Sequence, residues 1–150
     1  MATHCKKYRT YVYLSTMGAL IVCGLACQGG VNVPAPPTDE IVSFADDIQP
    51  IFDAHCTECH RAGSPTNEIA GIRMILTADD SYDSLVDQTS SQRADLTLVT
   101  PDDPDASLLW LKVSSNRPPV GSTMPLFGER LSSEELGLLR DWIAQGAMDN

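Results

Sequence analysis

The residues best suited to chemistry lie together near the middle of the chain, as Cys56-Thr57-Glu58-Cys59-His60. This C-x-x-C-H pattern is typical of covalent attachment of c-type haem. Two thiols three positions apart can each add to a vinyl group of the porphyrin and form a thioether. The adjacent His60 is then placed under the iron as its proximal ligand. The sequence therefore predicts one haem c, held by Cys56, Cys59 and His60.

Zinc binding and thiol–disulfide exchange are the alternative uses of the same two cysteines. A structural zinc ion needs four Cys or His ligands in a tetrahedron. Four ligands crowded into residues 55–60 do not readily surround one ion, and the only further Cys or His after residue 23 is Cys27. A redox C-x-x-C is expected beside a β-α-β pattern, which the sequence does not show. Haem is therefore the favoured interpretation.

The second axial ligand of the iron must come from elsewhere in the chain or be absent. After residue 26, the candidates are Met74, Met124, Met148 and His55. Met148 is expected to fray with the C-terminus, Met74 suits a core position, and His55 directly precedes the motif and cannot easily reach the opposite haem face. Met124 lies in a loop containing Gly and Pro and is the predicted distal ligand. A His/Met pair would raise the reduction potential and leave no open position on the iron.

Residues 1–26 are predicted to be a signal peptide. A basic start is followed by a mostly apolar run over residues 11–26, and this run of 16 residues is short for a membrane-spanning helix. Gly24-Leu25-Ala26 before Cys27 resembles a bacterial lipobox, so Cys27 is the predicted lipidation site; ordinary cleavage after Ala26 is the alternative. The expected location is the periplasm or cell envelope, with a lipid anchor in the membrane. Export agrees with the haem prediction, since haem is joined to C-x-x-C-H outside the bacterial cytoplasm.

The remainder divides into a tether over residues 27–40, rich in Gly and Pro, and one domain over residues 41–150. Its fold class is predicted as mostly α, a small helical domain with long loops, and residues 71–76 are expected to be a strand or extended. Helix starts are predicted from prolines and capping residues: near residues 48–50 with the helix running towards Cys59, at Thr77 with Asp80, at Asp103 before Pro104, and at Ser132 with Glu135.

The charge balance restricts the partners. The chain has 10 Lys and Arg against 20 Asp and Glu, which argues against nucleic acid as a ligand. Removal of residues 1–26 would take away three basic and no acidic residues, changing the net charge from −10 to −13. We therefore expect a redox partner with a basic docking face; an acidic surface without a steering role is the alternative.

Several stretches together resemble a known family. They are SFADDIQPIFDAHCTECH (43–60), VTPDDPDASLLWLKV (99–113), Met124-Pro125 and LSSEELGLLRDWIAQGA (131–147). In this order they are similar to single-haem class I cytochromes c, and most of all to the Planctomycete-type cytochrome c domain. The resemblance implies a fold in which the N- and C-terminal helices cross beside the haem, with thioethers at Cys56 and Cys59 and axial ligands at His60 and Met124. The family often has M-P-P where this chain has Met124-Pro125-Leu126.

The expected function is single-electron transfer by an exported mono-haem cytochrome that is not itself an enzyme. A haem enzyme, or a sensor of gases or peroxide with an open sixth position, is one alternative. An electron-relay subunit of a larger oxidoreductase complex is another. The electron carrier and the haem enzyme or sensor differ in whether Met124 binds the iron.

Overall fold

The computed structural model describes residues 40–69 and 71–150, which belong to a single unit of the chain. The predicted signal peptide, Cys27 and residues 28–39 of the tether lie outside these described residues. In the described part, regular structure is helical and β pairing is limited to isolated bridges, which confirms the prediction of a mostly α domain. None of the helices found there is long and apolar enough to cross a membrane.

The helices are short and are separated by long irregular segments. In chain order they are α1 (Gln49–His55), α2 (Pro65–Ile69), α3 (Ser81–Leu85), α4 (Leu108–Ser114) and α5 (Ser133–Ala144). A π-helical turn, Phe44–Ile48, leads directly into α1, and a 3-10 turn, Pro104–Ala106, precedes α4.

The first helix begins where the sequence predicts but ends earlier. Ser43 caps the preceding π-helical turn: its Oγ accepts a hydrogen bond from the Asp46 N–H at 3.2 Å, and its own N–H donates to the Asp47 carboxylate at 2.8 Å. Helix α1 ends at His55, so the prediction that it continues towards Cys59 is wrong. The backbone leaves the helical region at Cys56, where φ is −124°.

The predicted capping box at the start of α5 is confirmed. The Ser132 Oγ accepts from the Glu135 N–H at 3.2 Å, and the Glu135 carboxylate accepts from the Ser132 N–H at 2.7 Å. Leu136, Leu139 and Ile143 recur on one face of the helix and are fully buried. The amphipathic pattern therefore identifies the face of α5 that meets the core.

The other predicted helix starts are confirmed only in part. Asp103 accepts a hydrogen bond from the Ala106 N–H at 3.0 Å, but the helix that it caps is the short 3-10 turn before α4. The Thr77 hydroxyl bonds to the Asp80 carboxylate at 3.2 Å, and α3 begins only after Asp80, which makes no side-chain cap. Residues 71–76 form no strand: Gly71 is in a turn with a φ of 62°, and the residues after it have no regular secondary structure.

The core joins the first helical segment to the last. The ring of Phe44, in the π-helical turn, lies with its centroid 5.2 Å from that of Trp142 in α5 and 5.4 Å from that of Tyr82 in α3. Phe52 of α1 meets the same ring edge-on at 6.2 Å. These aromatic contacts pack the π-helical turn and α1, which directly precede the C-x-x-C-H motif, against α3 and α5.

The C-terminus is bound to the N-terminal end of the domain, so the expectation that it frays at Met148 is wrong. Asn150 accepts hydrogen bonds from the N–H groups of Phe44 and Ala45 at 2.9 and 3.0 Å. The indole Nε1 of Trp142 donates to the Met148 carbonyl at 2.9 Å. Position near the end of the chain did not reveal these hydrogen bonds, and those to Phe44 and Ala45 join residues more than 100 positions apart.

Candidate haem-attachment site

The C-x-x-C-H residues form a turn immediately after α1. The N–H groups of Cys59 and His60 both donate to the Cys56 carbonyl, at 3.1 and 2.9 Å. The Thr57 hydroxyl donates to the Asp53 carbonyl at 3.1 Å and ties the turn to α1. The structure thus brings the three predicted site residues together, on a turn rather than on a continuous helix.

The two thiols lie in different environments, and both are free. Cys59 is exposed, whereas Cys56 is half-buried and contacts the hydrophobic core. Burial, reinforced by the neighbouring Cys59, raises the pKa of Cys56 to about 12. Cys56 is therefore a neutral thiol at physiological pH. Cysteines that carry out disulfide exchange act as thiolates and have lowered pKa values, so this environment does not favour that use.

His60 is enclosed and held in its neutral form. Only 9% of the residue is exposed, and its carbonyl accepts a hydrogen bond from the Leu76 N–H at 2.7 Å. Burial lowers the pKa of the imidazole; an interaction with Asn67 acts in the opposite direction, and the positive charge of Lys112 lowers the pKa further. A neutral imidazole is the form that binds a metal, so the environment of His60 suits an axial ligand.

Two enclosed polar atoms at the site, on His60 and Asn67, are unsatisfied. Among the described residues, His60 Nδ1 and Asn67 Oδ1 are the buried side-chain atoms without a hydrogen-bond partner. Asn67 lies on α2, and only 7% of the residue is exposed. Buried polar groups are normally paired, so an unpaired pair at the site calls for an explanation.

His55 is paired with a carboxylate of α5. Its Nε2 lies 2.8 Å from Oε1 of Glu135 at the start of that helix. The exclusion of His55 as a distal ligand stays a prediction. The contact ties the end of α1, directly before the cysteines, to the capping box of α5.

Lys112 of α4 makes three hydrogen bonds to the loop that carries Met124; the Thr123 hydroxyl also donates to the Ser115 carbonyl, and Arg130 donates to the Val113 carbonyl. The Nζ of Lys112 donates to the carbonyls of Val120 and Ser122 at 2.6 and 3.1 Å, and its own carbonyl accepts from the Met124 N–H at 2.8 Å. Only 8% of Lys112 is exposed. Met124 is partly buried and contacts the core, as is Met74. Pairing of Met124 with His60 across an iron remains a prediction.

Sequence reasoning missed both Lys112 and Asn67. Lys112 has a visible signal, since it is the only lysine after Lys7 and interrupts an apolar helical run. A lysine that is buried with such a helix face needs hydrogen-bond partners for its ammonium group, although the sequence does not show which groups supply them. Asn67 carries no such signal, because it lies in a polar segment and its burial comes from the return of the chain over His60.

The residues present fit haem c better than a protein-bound metal ion. In the described ranges, no group of three or more His, Cys, Asp and Glu side chains is arranged to hold a metal ion. Thioether formation instead needs two free thiols, and Cys56 and Cys59 meet that requirement. His60 adds a buried imidazole next to Cys59, and imidazole nitrogen is a common haem-iron ligand.

The fold and site therefore define a mostly helical domain with a C-x-x-C-H turn. Comparison with known protein families, characterised proteins and solved structures gives no significant match to this chain.

Proposed function

We propose that the protein is an exported, single-haem c-type cytochrome that transfers electrons one at a time. The observation that carries the proposal is the turn in which Cys56 and Cys59 are free thiols beside the buried neutral imidazole of His60. The resemblance of residues 43–147 to single-haem class I and Planctomycete-type cytochrome c domains supports the same assignment. Helical packing of the N-terminal segment against α5 is consistent with it.

Each site residue has a defined task in this proposal. Cys56 and Cys59 would attach the porphyrin, each by adding its S–H across one vinyl double bond, the sulfur to one carbon and the hydrogen to the other. His60 offers Nε2 as the proximal ligand, and Met124 offers its sulfur as the distal one. When bound in this way, haem c supplies a one-electron couple whose potential follows from axial ligation, burial and nearby charge. The chain itself fixes the imidazole through the turn and restrains the Met124 loop through Lys112.

The charge of the chain favours a basic partner. With residues 1–26 removed, the net charge of −10 becomes −13 because three basic residues are lost. Lipidation at Cys27 would hold the domain at a membrane, with residues 28–40 as the tether. An acidic domain in that position would be steered to an electron donor or acceptor with a basic face.

Covalent attachment is the decisive test. The full chain, expressed in a host with a cytochrome c maturation system, is expected to retain haem after acid–acetone extraction and to show one haem per chain by mass. Cys56→Ser and Cys59→Ser should each leave a single thioether, and the double variant none. Haem that is absent from the full chain, or fully extractable, contradicts the proposal.

The distal ligand separates the electron carrier from its alternatives. Met124→Ala should remove the optical signature of methionine coordination and lower the reduction potential, while Met74→Ala, a matched change at another partly buried methionine, should do neither. An unchanged spectrum in Met124→Ala contradicts the assignment of that ligand. Rapid binding of carbon monoxide or reaction with peroxide by the unaltered protein would instead support a haem enzyme or sensor.

Membrane attachment has its own test. Metabolic labelling with a radioactive fatty acid should label the unaltered protein, and Cys27→Ser should remove the label. An unaltered protein without the label contradicts lipidation at Cys27 and leaves the haem assignment untouched.

A further inference from the structure

Asn67 is the side chain best placed to control the imidazole of His60. Helix α2 follows the C-x-x-C-H turn within a few residues, and the chain folds back so that Asn67 interacts with His60. The return is held by the main chain: the N–H of Ser64 donates to the Arg61 carbonyl at 3.2 Å, and the N–H of Ile72 donates to the Asn67 carbonyl at 3.0 Å. The amide of Asn67 is therefore kept beside the ring by the fold.

The unsatisfied atoms of the two residues are complementary. Within residues 40–69 and 71–150, Nδ1 of His60 and Oδ1 of Asn67 are both enclosed without a hydrogen-bond partner. A neutral imidazole has one N–H and one bare nitrogen, whereas an amide oxygen only accepts. If Nδ1 carries the proton, it is the donor that Oδ1 lacks, and a hydrogen bond between the two would satisfy both atoms. The same tautomer leaves Nε2 bare, which is the state that a metal ligand needs.

We propose that Asn67 is a positioning residue whose Oδ1 accepts a hydrogen bond from Nδ1–H of His60 and so presents Nε2 to the haem iron. This inference rests on the proposed function, because it assumes that His60 is an axial ligand. Asn67 does not touch the iron in this arrangement. It fixes the tautomer and the rotation of the ring and increases the electron donation of the imidazole to the metal.

Two substitutions at Asn67 should act in opposite directions on the reduction potential. Asn67→Asp provides a charged and stronger acceptor, which favours the ferric state and lowers the potential. Asn67→Leu keeps a similar size but removes the acceptor, which raises the potential and makes loss of His60 from the iron about 10- to 100-fold easier in an acid titration of the low-spin spectrum. Ser64→Ala is the matched control, since Ser64 is a buried polar residue of the same segment, and it should change neither quantity.

A purely structural role for Asn67 would give a different pattern. Damage to the fold would shift the potential in the same direction for both variants and would lower the helical circular dichroism. Potentials that move together, or that do not move, in folded holoprotein overturn the inference.

The apoprotein separates this inference from the proposed function. Nitrogen NMR of the His60 ring, with haem attachment prevented by Cys56→Ala and Cys59→Ala, should show the proton on Nδ1 with Asn67 present and a shift towards Nε2 in Asn67→Leu. A ring with its proton on Nε2 in both proteins refutes the hydrogen bond. Failure of the full chain to bind haem would refute the proposed function, and the NMR result would still decide whether Asn67 holds His60.

Discussion

Removal of the Lys112 ammonium should loosen the loop that carries Met124. In Lys112→Met the aliphatic part of the side chain is retained, and the two hydrogen bonds to the Val120 and Ser122 carbonyls, at 2.6 and 3.1 Å, are lost. Hydrogen bonds to a charged donor contribute about 1.5–3 kcal/mol each. The full sum is not expected, because Ser122 is exposed and its carbonyl can turn to water. Burial also lowers the pKa of Lys112, which means that the ammonium is kept in the core at some cost.

The expected net loss is therefore that of about one such hydrogen bond, about 1.5–3 kcal/mol in the free energy of unfolding. The main-chain hydrogen bond from Met124 to Lys112 should survive the substitution, so the loop is loosened rather than released. Denaturant unfolding gives the stability, and the optical signature of methionine ligation in the holoprotein reports the position of Met124. The signature should weaken at lower denaturant concentrations than the signal of global unfolding.

Arg73→Met is the control, since Arg73 is exposed and the change removes the same charge. It should alter stability by less than about 0.5 kcal/mol. If Lys112→Met is equally mild and its methionine signature is unaltered, the restraint that we assign to Lys112 does not exist. Because Lys112 is the only lysine after Lys7, its protection from reductive methylation in the mature domain gives an independent check of its burial.

Further predictions concern α5 and the charge of the domain. Burial would raise the pKa of Glu135, but hydrogen bonds from Ser132 and His55 outweigh burial and lower the pKa. The Glu135 carboxylate should therefore stabilise the fold fully above pH 4.5, and this stabilisation should be lost as the pH falls through the lowered pKa of the folded state. Glu135→Gln should flatten that part of a curve of unfolding free energy against pH. Ser132→Ala should cost about 1 kcal/mol in chemical denaturation. Leu136→Ala, in the core, should cost about 2–5 kcal/mol, whereas Leu126→Ala, at a residue 47% exposed, should cost far less. Electron transfer to a basic partner should slow as salt is added; rates that stay flat would favour an acidic surface without a steering role.

Local signals in the sequence predicted those parts of the structure that depend on neighbouring residues. The Ser132 and Glu135 capping box and the Asp103 cap both act within three residues, and both are confirmed. Cys56, Cys59 and His60 likewise lie on one turn because they are neighbours in the sequence. The helix predicted to run towards Cys59 ends at His55, and the motif forms a separate hydrogen-bonded turn, a boundary that the residue types alone did not indicate.

Contacts between distant segments were not predictable in the same way. Burial of Asn67 against His60 depends on the main-chain bonds that fold residues 61–72 back, and the restraint of the Met124 loop depends on carbonyl groups, which every residue type supplies. The hold of Asn150 on Phe44 joins positions 106 residues apart. Composition and periodicity describe which side chains prefer burial, but they do not name the partner of a buried polar atom.

The two missed residues contact the segments that carry the two proposed axial ligands, and both segments have little regular structure. The site residues lie on a turn and on a loop, and neither segment is fixed by a hydrogen-bonded helix or sheet. A ligand on such a segment needs restraint from polar groups outside it. Lys112 restrains the Met124 loop and its charge also lowers the pKa of His60, while Asn67 lies against the ring itself. Substitution of either residue should therefore change axial ligation before it changes the helical content, which is the order expected when the ligands are held by polar contacts rather than by the helices.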